Sequence, residues 1–182
     1  MYQKLSEEFI ERHSELVDWD LISMYQKLSE DFIERHSDLV NWNLISEYQK
    51  LSEDFIERHS QINIELTKDN WLNKPVNFKK QKVIEAGLYE CFDNYFIAYK
   101  GIRSDRYSKY NFQYQYLPGE TYTCFSDGSK CEDSFGLSAW TEKKAKEYCD
   151  ELVIKVKIYY EDVTRVVHNG GKIRASKITI LN

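Results

Sequence analysis

Apolar positions in the first third of the chain recur every 23 residues. Residues 2–23 read YQKLSEEFIERHSELVDWDLIS and residues 25–46 read YQKLSEDFIERHSDLVNWNLIS. They differ only at Glu8/Asp31, Glu15/Asp38, Asp18/Asn41 and Asp20/Asn43. A third copy, YQKLSEDFIERHS, starts at Tyr48 and decays after Ser60. Within a unit, Phe32, Ile33, His36, Leu39 and Val40 fall at i, i+1, i+4, i+7 and i+8, one face of a helix. Ser29 suits the N-cap, and Glu30 and Asp31 suit the positive end of the helix dipole. Asn41 (Asp18 in the earlier copy) can cap a second helix that lines up Trp42, Ile45 and Tyr48. Each unit therefore predicts two short helices. One such hairpin cannot bury its apolar stripe alone, whereas stacked copies can. The repeat thus predicts an α-solenoid-like array over residues 1–68, about two and a half units. The chain starts midway through a unit, so fraying is expected over residues 1–15.

After Lys68 the pattern changes. Asn70, Trp71 and Pro75 punctuate the end of the array, and residues 78–85 (FKKQKVIE) predict a short helix stopped by Gly87; residues 69–94 read as a connector. Residues 95–99 (YFIAY) are aromatic and apolar, and 111–116 (NFQYQY) alternate, so both predict strands. Pro118-Gly119 marks a turn, and the chain returns as a strand over 121–125. Thr141 caps a predicted helix over 142–148. Residues 152–159 (LVIKVKIY) alternate as a half-buried strand does, 162–168 predict another, and Asn169-Gly170 a tight turn. Residues 172–181 then close a hairpin. The expected fold class is α+β: short helical repeats, then a mainly antiparallel sheet domain with one or two helices over residues 95–182.

Composition narrows the class. The chain has 182 residues, 42% apolar and 30% charged, which supports a packed core and argues against global disorder. No apolar run approaches the roughly 20 residues that span a bilayer, so no membrane partner is expected. The first residues lack an apolar stretch of the secretory kind, so reduced thiols inside a cell are expected. Charge divides the chain. Residues 1–66 hold 6 Lys/Arg against 15 Asp/Glu, and residues 67–182 hold 19 against 15, giving −9 and +4. Such asymmetry favours two functional surfaces.

Candidate chemistry concentrates in residues 99–116, YKGIRSDRYSKYNFQYQY. Lys100, Arg103, Arg106 and Lys109 face one acid, Asp105, and six aromatics are interleaved, among them Tyr107 and Tyr110. Cations beside stacking rings suit a nucleotide or single-stranded nucleic acid. Alternation on a sheet would instead turn half of those rings inward. Trp140 and His168, the latter beside the Asn-Gly turn, are further candidate contacts. The repeat faces offer a second candidate surface in Glu8, Glu11, Asp31, Glu34, Asp54 and Glu57. Regularly spaced carboxylates can bind a basic partner or imitate a nucleic-acid backbone. His13, His36 and His59 recur on the apolar face and read as core residues bonded to backbone rather than metal ligands. Cys91, Cys124, Cys131 and Cys149 form no C-x-x-C pair, so neither metal nor cofactor is expected. No P-loop and no G-x-S-x-G motif is present. An enzymatic role is therefore not favoured, and no catalytic residue is assigned.

Several strings extend this reading: NWLNKPVNFKKQKVIEAGLYECFDNYFIAYKGIRSDRYS, NFQYQYLPGETY, SFGLSAWTEKKAKEYC and VVHNGGKIRASKITIL. With the YQKLSEDFI repeats, they resemble a family of giant-virus and phage proteins. That resemblance covers nearly the whole chain and implies a virus-encoded protein acting in the host cytoplasm on a host protein or nucleoprotein, with inhibition of antiviral defence, of the anti-CRISPR kind, as the expected role. A weaker likeness joins the Tyr-Lys-Gly strand, Phe-Gly-Leu-Ser and the following helix to small ADP-ribosyltransferases. It would match Lys100 or Arg103 and Ser138 to two transferase positions. The late strand KITIL lacks the glutamate that orients the nucleophile in that family.

Overall fold

The computed structural model describes residues 3–129, 131 and 134–181, with backbone alone at 65, 66 and 68. The chain divides into two compact units, the first ending at Asn73 and the second starting at Lys74. Among its described residues the first holds six short α-helices: α1 (Glu7–Arg12), α2 (Trp19–Tyr25), α3 (Glu30–Arg35), α4 (Trp42–Tyr48), α5 (Glu53–Arg58) and α6 (Ile64–Asp69). Local chemistry sets their ends. The hydroxyls of Ser6, Ser29 and Ser52 each accept the backbone N–H three residues on. Asp18 and Asn41 cap α2 and α4 with their side-chain oxygens. Residues 7–12, where fraying was expected, are helical, because the Ser6 cap and buried Ile10 hold them.

Helices this short are marginal alone, so packing must hold them. α2 packs on α4, and α4 on α6. Ile10, Ile22, Phe32, Ile33, Ile45 and Phe55 belong to one continuous core. Polar bonds join neighbouring copies as regularly as the apolar contacts do. The Glu7 carboxylate accepts the Ser29 N–H and hydroxyl, and Glu30 does the same for Ser52. In the opposite direction, Gln49 Nε2 donates to the carbonyls of Ser23 and Gln26 at 2.7 and 2.9 Å. Its Oε1 accepts the Leu28 N–H at 3.3 Å. Gln26 bonds Gln3 and Leu5 in the same manner. At the third copy two residues replace the glutamine. Asn70 donates to the Ser46 and Gln49 carbonyls, and Asn73 accepts from Leu51.

The second unit is an eight-stranded sheet with, among the described residues, two α-helices. The segment expected as a connector contains a 3-10 turn (Trp71–Asn73), α7 (Val76–Glu85) and the short strand β1 (Glu90–Cys91). Then come β2 (Tyr95–Ile102), β3 (Thr121–Thr123), β4 (Leu137–Trp140), α8 (Glu142–Tyr148), β5 (Leu152–Tyr159), β6 (Val163–Val167), β7 (Lys172–Ala175) and β8 (Lys177–Ile180). The strand order is β3-β8-β5-β2-β4-β7-β6, with β1 also on β2, and every pairing among described strands is antiparallel. β2 pairs along its full length with β5, and α8 packs across it. Gly101 permits that approach, since a Cβ there would lie 2.1 Å from the Ala145 carbonyl oxygen.

Two strand expectations are corrected. The hairpin expected across Asn169-Gly170 forms between β6 and β7, but residues 172–181 are not a single arm of it. They break at Ser176, whose N–H donates to the Asp162 carbonyl and whose carbonyl accepts the Cys124 N–H. β7 therefore pairs with β4 and β6, whereas β8 pairs with β5 and β3. Residues 111–116 form no strand beyond one bridge, Tyr107 to Gln115. Their backbone is satisfied differently: Tyr116 N–H donates to the Arg106 carbonyl, and the Tyr122 hydroxyl donates to Gln115 and accepts from Leu117.

Candidate functional site

β2 and the loop after it bring most of the sequence-selected residues of the second unit together. Lys100 on β2 is only 3% exposed. Its ammonium donates to the Ser138 carbonyl at 2.8 Å and lies 5.0 Å from the Tyr116 ring centre and 5.5 Å from that of Trp140. Burial lowers its pKa to about 8, with Cys124 pulling upward and Lys172 downward. Lys172 on β7 sits 5.8 Å from the Trp140 ring. Trp140 stacks on Tyr148 from α8 at 4.5 Å, and Tyr148 meets Tyr110 edge-on at 6.2 Å. Lys109 lies 5.4 Å from the Tyr110 ring centre and donates to the Tyr148 carbonyl. The result is a row of rings running from buried Tyr116 to Tyr110, which is 75% exposed, with lysines along it.

A second small cluster stands beside this row. Arg103 lies 4.8 Å from the centre of the exposed Phe112 ring and pairs with Asp105 at 2.7 Å. Tyr107 leans on Phe112 at 6.0 Å. Arg106 adopts φ 68° and donates to the Tyr116 carbonyl, so its role is to hold the loop. His168 lies in the exposed turn between β6 and β7, at φ 50°. Of the six rings in residues 99–116, only Tyr116 is buried, which corrects the expectation that half turn inward. The reason is the missing strand: without a ladder, those rings pack on each other and on Tyr148 and Tyr122. Tyr148, Tyr122 and Lys172 were not selected from sequence. Tyr148 closes a helix read only as EKKAKEY, and the register of β7 was not predictable from composition.

The acidic candidates of the first unit have divided roles. Glu11 approaches Arg35 at 3.9 Å and His36 at 4.0 Å; Glu34 approaches Arg58 at 3.6 Å and His59 at 3.8 Å. Glu8 pairs with Arg12 at 3.9 Å within α1. Asp31, Asp54 and Glu57 are exposed. Of the histidines expected in the core, His36 is buried and His59 half-buried with the same backbone contact, whereas His13 on α1 is half-buried beside the exposed Phe9. His36 Nδ1 lies 3.0 Å from the Phe32 carbonyl, and His59 Nδ1 lies 2.9 Å from that of Phe55. A carbonyl only accepts, so Nδ1 carries the proton. Each of these rings is also stacked between Phe of its own copy and Trp of the preceding one.

In two other features of the second unit the cationic groups are already engaged within the protein. Arg174, fully buried, donates to the carbonyls of Ser129 and Cys131 and faces Asp127 at 3.4 Å. Asp127 also accepts from Ser129, Ser134 and Phe135, so the pair pins that loop. A polar cleft of about 420 Å³ lies among Asn77, Lys80, Asp93, Asn94, Tyr159 and Glu161. Lys80 there already donates to the Asp93 carbonyl and carboxylate. Among the described residues, no group of three or more His, Cys, Asp or Glu is placed to hold a metal ion, and no helix is long and apolar enough to cross a membrane. No protein-family model, curated protein or solved structure matches this chain.

Proposed function

We propose that this chain is a non-enzymatic binding protein whose second unit grips single-stranded nucleic acid, in keeping with a host nucleoprotein as target. The exposed Tyr110 ring carries this reading, backed by Tyr148 and Trp140 and flanked by Lys109. Bases stack on rings that a protein holds rigid, and lysines meet the phosphates between them. Phe112 with Arg103 offers a second stacking position. The helical repeats, in this reading, stack as an α-solenoid-like scaffold. The resemblance to virus and phage proteins supports action in the host cytoplasm against antiviral defence.

Fluorescence anisotropy with a labelled 20-nucleotide single strand tests this. Tyr110→Ala and Phe112→Ala should each weaken binding by about 1–3 kcal/mol. Lys109→Glu should weaken it and flatten its salt dependence. Absence of saturable binding, or binding indifferent to all three changes, overturns the reading.

A second reading, contact with a basic host protein through the repeats, is favoured by the exposure of Asp31 and Asp54 one period apart and of Glu57. Charge reversal at those three residues should abolish such contact while leaving oligonucleotide binding intact. The transferase likeness gains little support. Lys100 and Ser138 do meet, but Lys100 is buried beneath Tyr116 and Trp140, and β8 brings no glutamate.

A further inference from the structure

The cleft beside α7 gathers polar side-chain ends that the fold leaves unused. Its walls come from three segments of the second unit: the first turns of α7, the turn between β1 and β2, and the end of β5 with the residues after it. Those walls are fixed from behind. The Tyr160 hydroxyl donates to the Phe92 carbonyl at 3.1 Å, and its ring stacks on Phe96 at 5.5 Å. The Asn94 carbonyl accepts the Tyr160 N–H, and the Glu161 carbonyl accepts from Lys79 Nζ, both at 3.2 Å. Lys80 is clamped by Asp93 and lies 5.7 Å from the Tyr160 ring centre. In front of this frame, the side-chain amides of Asn77 and Asn94 and the carboxylate of Glu161 are exposed and bond no other described residue.

The cleft volume, about 420 Å³, lies in the range of small-molecule sites, roughly 300–1,000 Å³. Its lining selects the kind of molecule. Val76 is the one aliphatic side chain among the described lining residues, so an apolar ligand gains little there. Two carboxylates, Asp93 and Glu161, stand against one ammonium, Lys80, so a phosphate or another anion is repelled. A carboxamide both donates and accepts, a carboxylate only accepts, and a hydroxyl does both. We propose that the cleft binds a neutral sugar of one or two rings. Its adjacent hydroxyls donate to Glu161 and exchange hydrogen bonds with Asn77 and Asn94. Walls that are already held in place spare the ligand the cost of ordering them. None of these residues belongs to the Tyr110 row, so this proposal and the nucleic-acid reading can fail independently.

The test is a titration of the full chain, followed in proton–nitrogen correlation spectra, with maltose, cellobiose, lactose and diacetylchitobiose. Each is added to about 20 mM, where a millimolar site saturates. At least one sugar should give saturable shifts centred on the amides of residues 77, 93, 94 and 161. Asn77→Ala and Asn94→Ala should each weaken that sugar about tenfold, the hydrogen bonds of one carboxamide being lost. Both side chains are exposed, so both variants should keep the wild-type thermal melt and oligonucleotide affinity. Inorganic phosphate at the same concentration should leave those signals in place. No saturable shift with any of the four sugars, binding that either variant leaves unchanged, or a stronger response to phosphate overturns the proposal.

Discussion

Gln49→Ala is the most direct probe of how the repeats are held together. Gln49 is buried, and its amide makes three bonds to the two earlier copies: two to carbonyls of Ser23 and Gln26, one from the Leu28 N–H. Truncation leaves all three backbone groups without that partner at a buried position. A buried polar group deprived of its bond costs about 1–3 kcal/mol. Three of them, partly relaxed, should remove roughly 4 kcal/mol. That is a large part of the about 5–15 kcal/mol that stabilises an ordinary domain. Urea unfolding followed by far-ultraviolet circular dichroism gives the loss, and hydrogen exchange at the Leu28 amide localises it. Gln49→Glu sharpens the test, since it keeps the acceptor but points a carboxylate at two carbonyls. That variant should be weak at neutral pH and recover as pH falls, when the protonated acid can donate. A loss below about 1 kcal/mol for Gln49→Ala, within ordinary surface variation, would refute the reasoning.

Three further outcomes are expected. Phe32→Ala and Phe55→Ala should each cost about 3–5 kcal/mol, and Phe9→Ala under about 1, although all three occupy one position of the repeat; chemical denaturation of the three variants checks this. Arg174→Met should cost about 3–5 kcal/mol by leaving the Asp127 carboxylate buried, and the double change with Asp127→Asn should recover part of it, read from Trp140 fluorescence on unfolding. Lys100 has a folded pKa below its unfolded one, so its penalty is fully present below pH about 8 and fades as pH rises toward 10.5. The stability of the wild type relative to Lys100→Met should accordingly climb by about 3 kcal/mol between pH 7 and 10.5, which urea titrations at both values would measure.

Local rules were legible because they are written within a few residues. Ser29 and Asn41 announce their caps, and the histidines fall on the apolar face where their Nδ1 can reach the carbonyl four residues back. Gln26 and Gln49 gave no such signal. A polar residue in YQKL reads as solvated until the next copy is seen to bury it. Glu11 and Glu34 looked like a free acidic face for the same reason: their partners, Arg35 and Arg58, lie a full repeat away. In the second unit, NFQYQY has the alternation of a strand, yet it forms only the bridge from Gln115 to Tyr107. Pairing partners are a property of topology, which short-range pattern does not encode. Arg103, Lys109 and Tyr110 were found because cations and rings were adjacent in sequence; Tyr148, which completes their row, came from a helix almost forty residues on.

The bonds between copies run both ways along the chain, with glutamate reaching forward and glutamine reaching back. The glutamate bonds are alike at two successive junctions, and the glutamine bonds are alike up to the third copy, where Asn70 and Asn73 take over. Excision of residues 24–46 would set Glu7 against Ser52 and Gln49 against Gln3 and Leu5, the same partners in kind as before. A gene carrying such units could lose or gain one by unequal recombination and still encode a well-joined product. The number of units could thus change while each remaining junction kept bonds of the same kind.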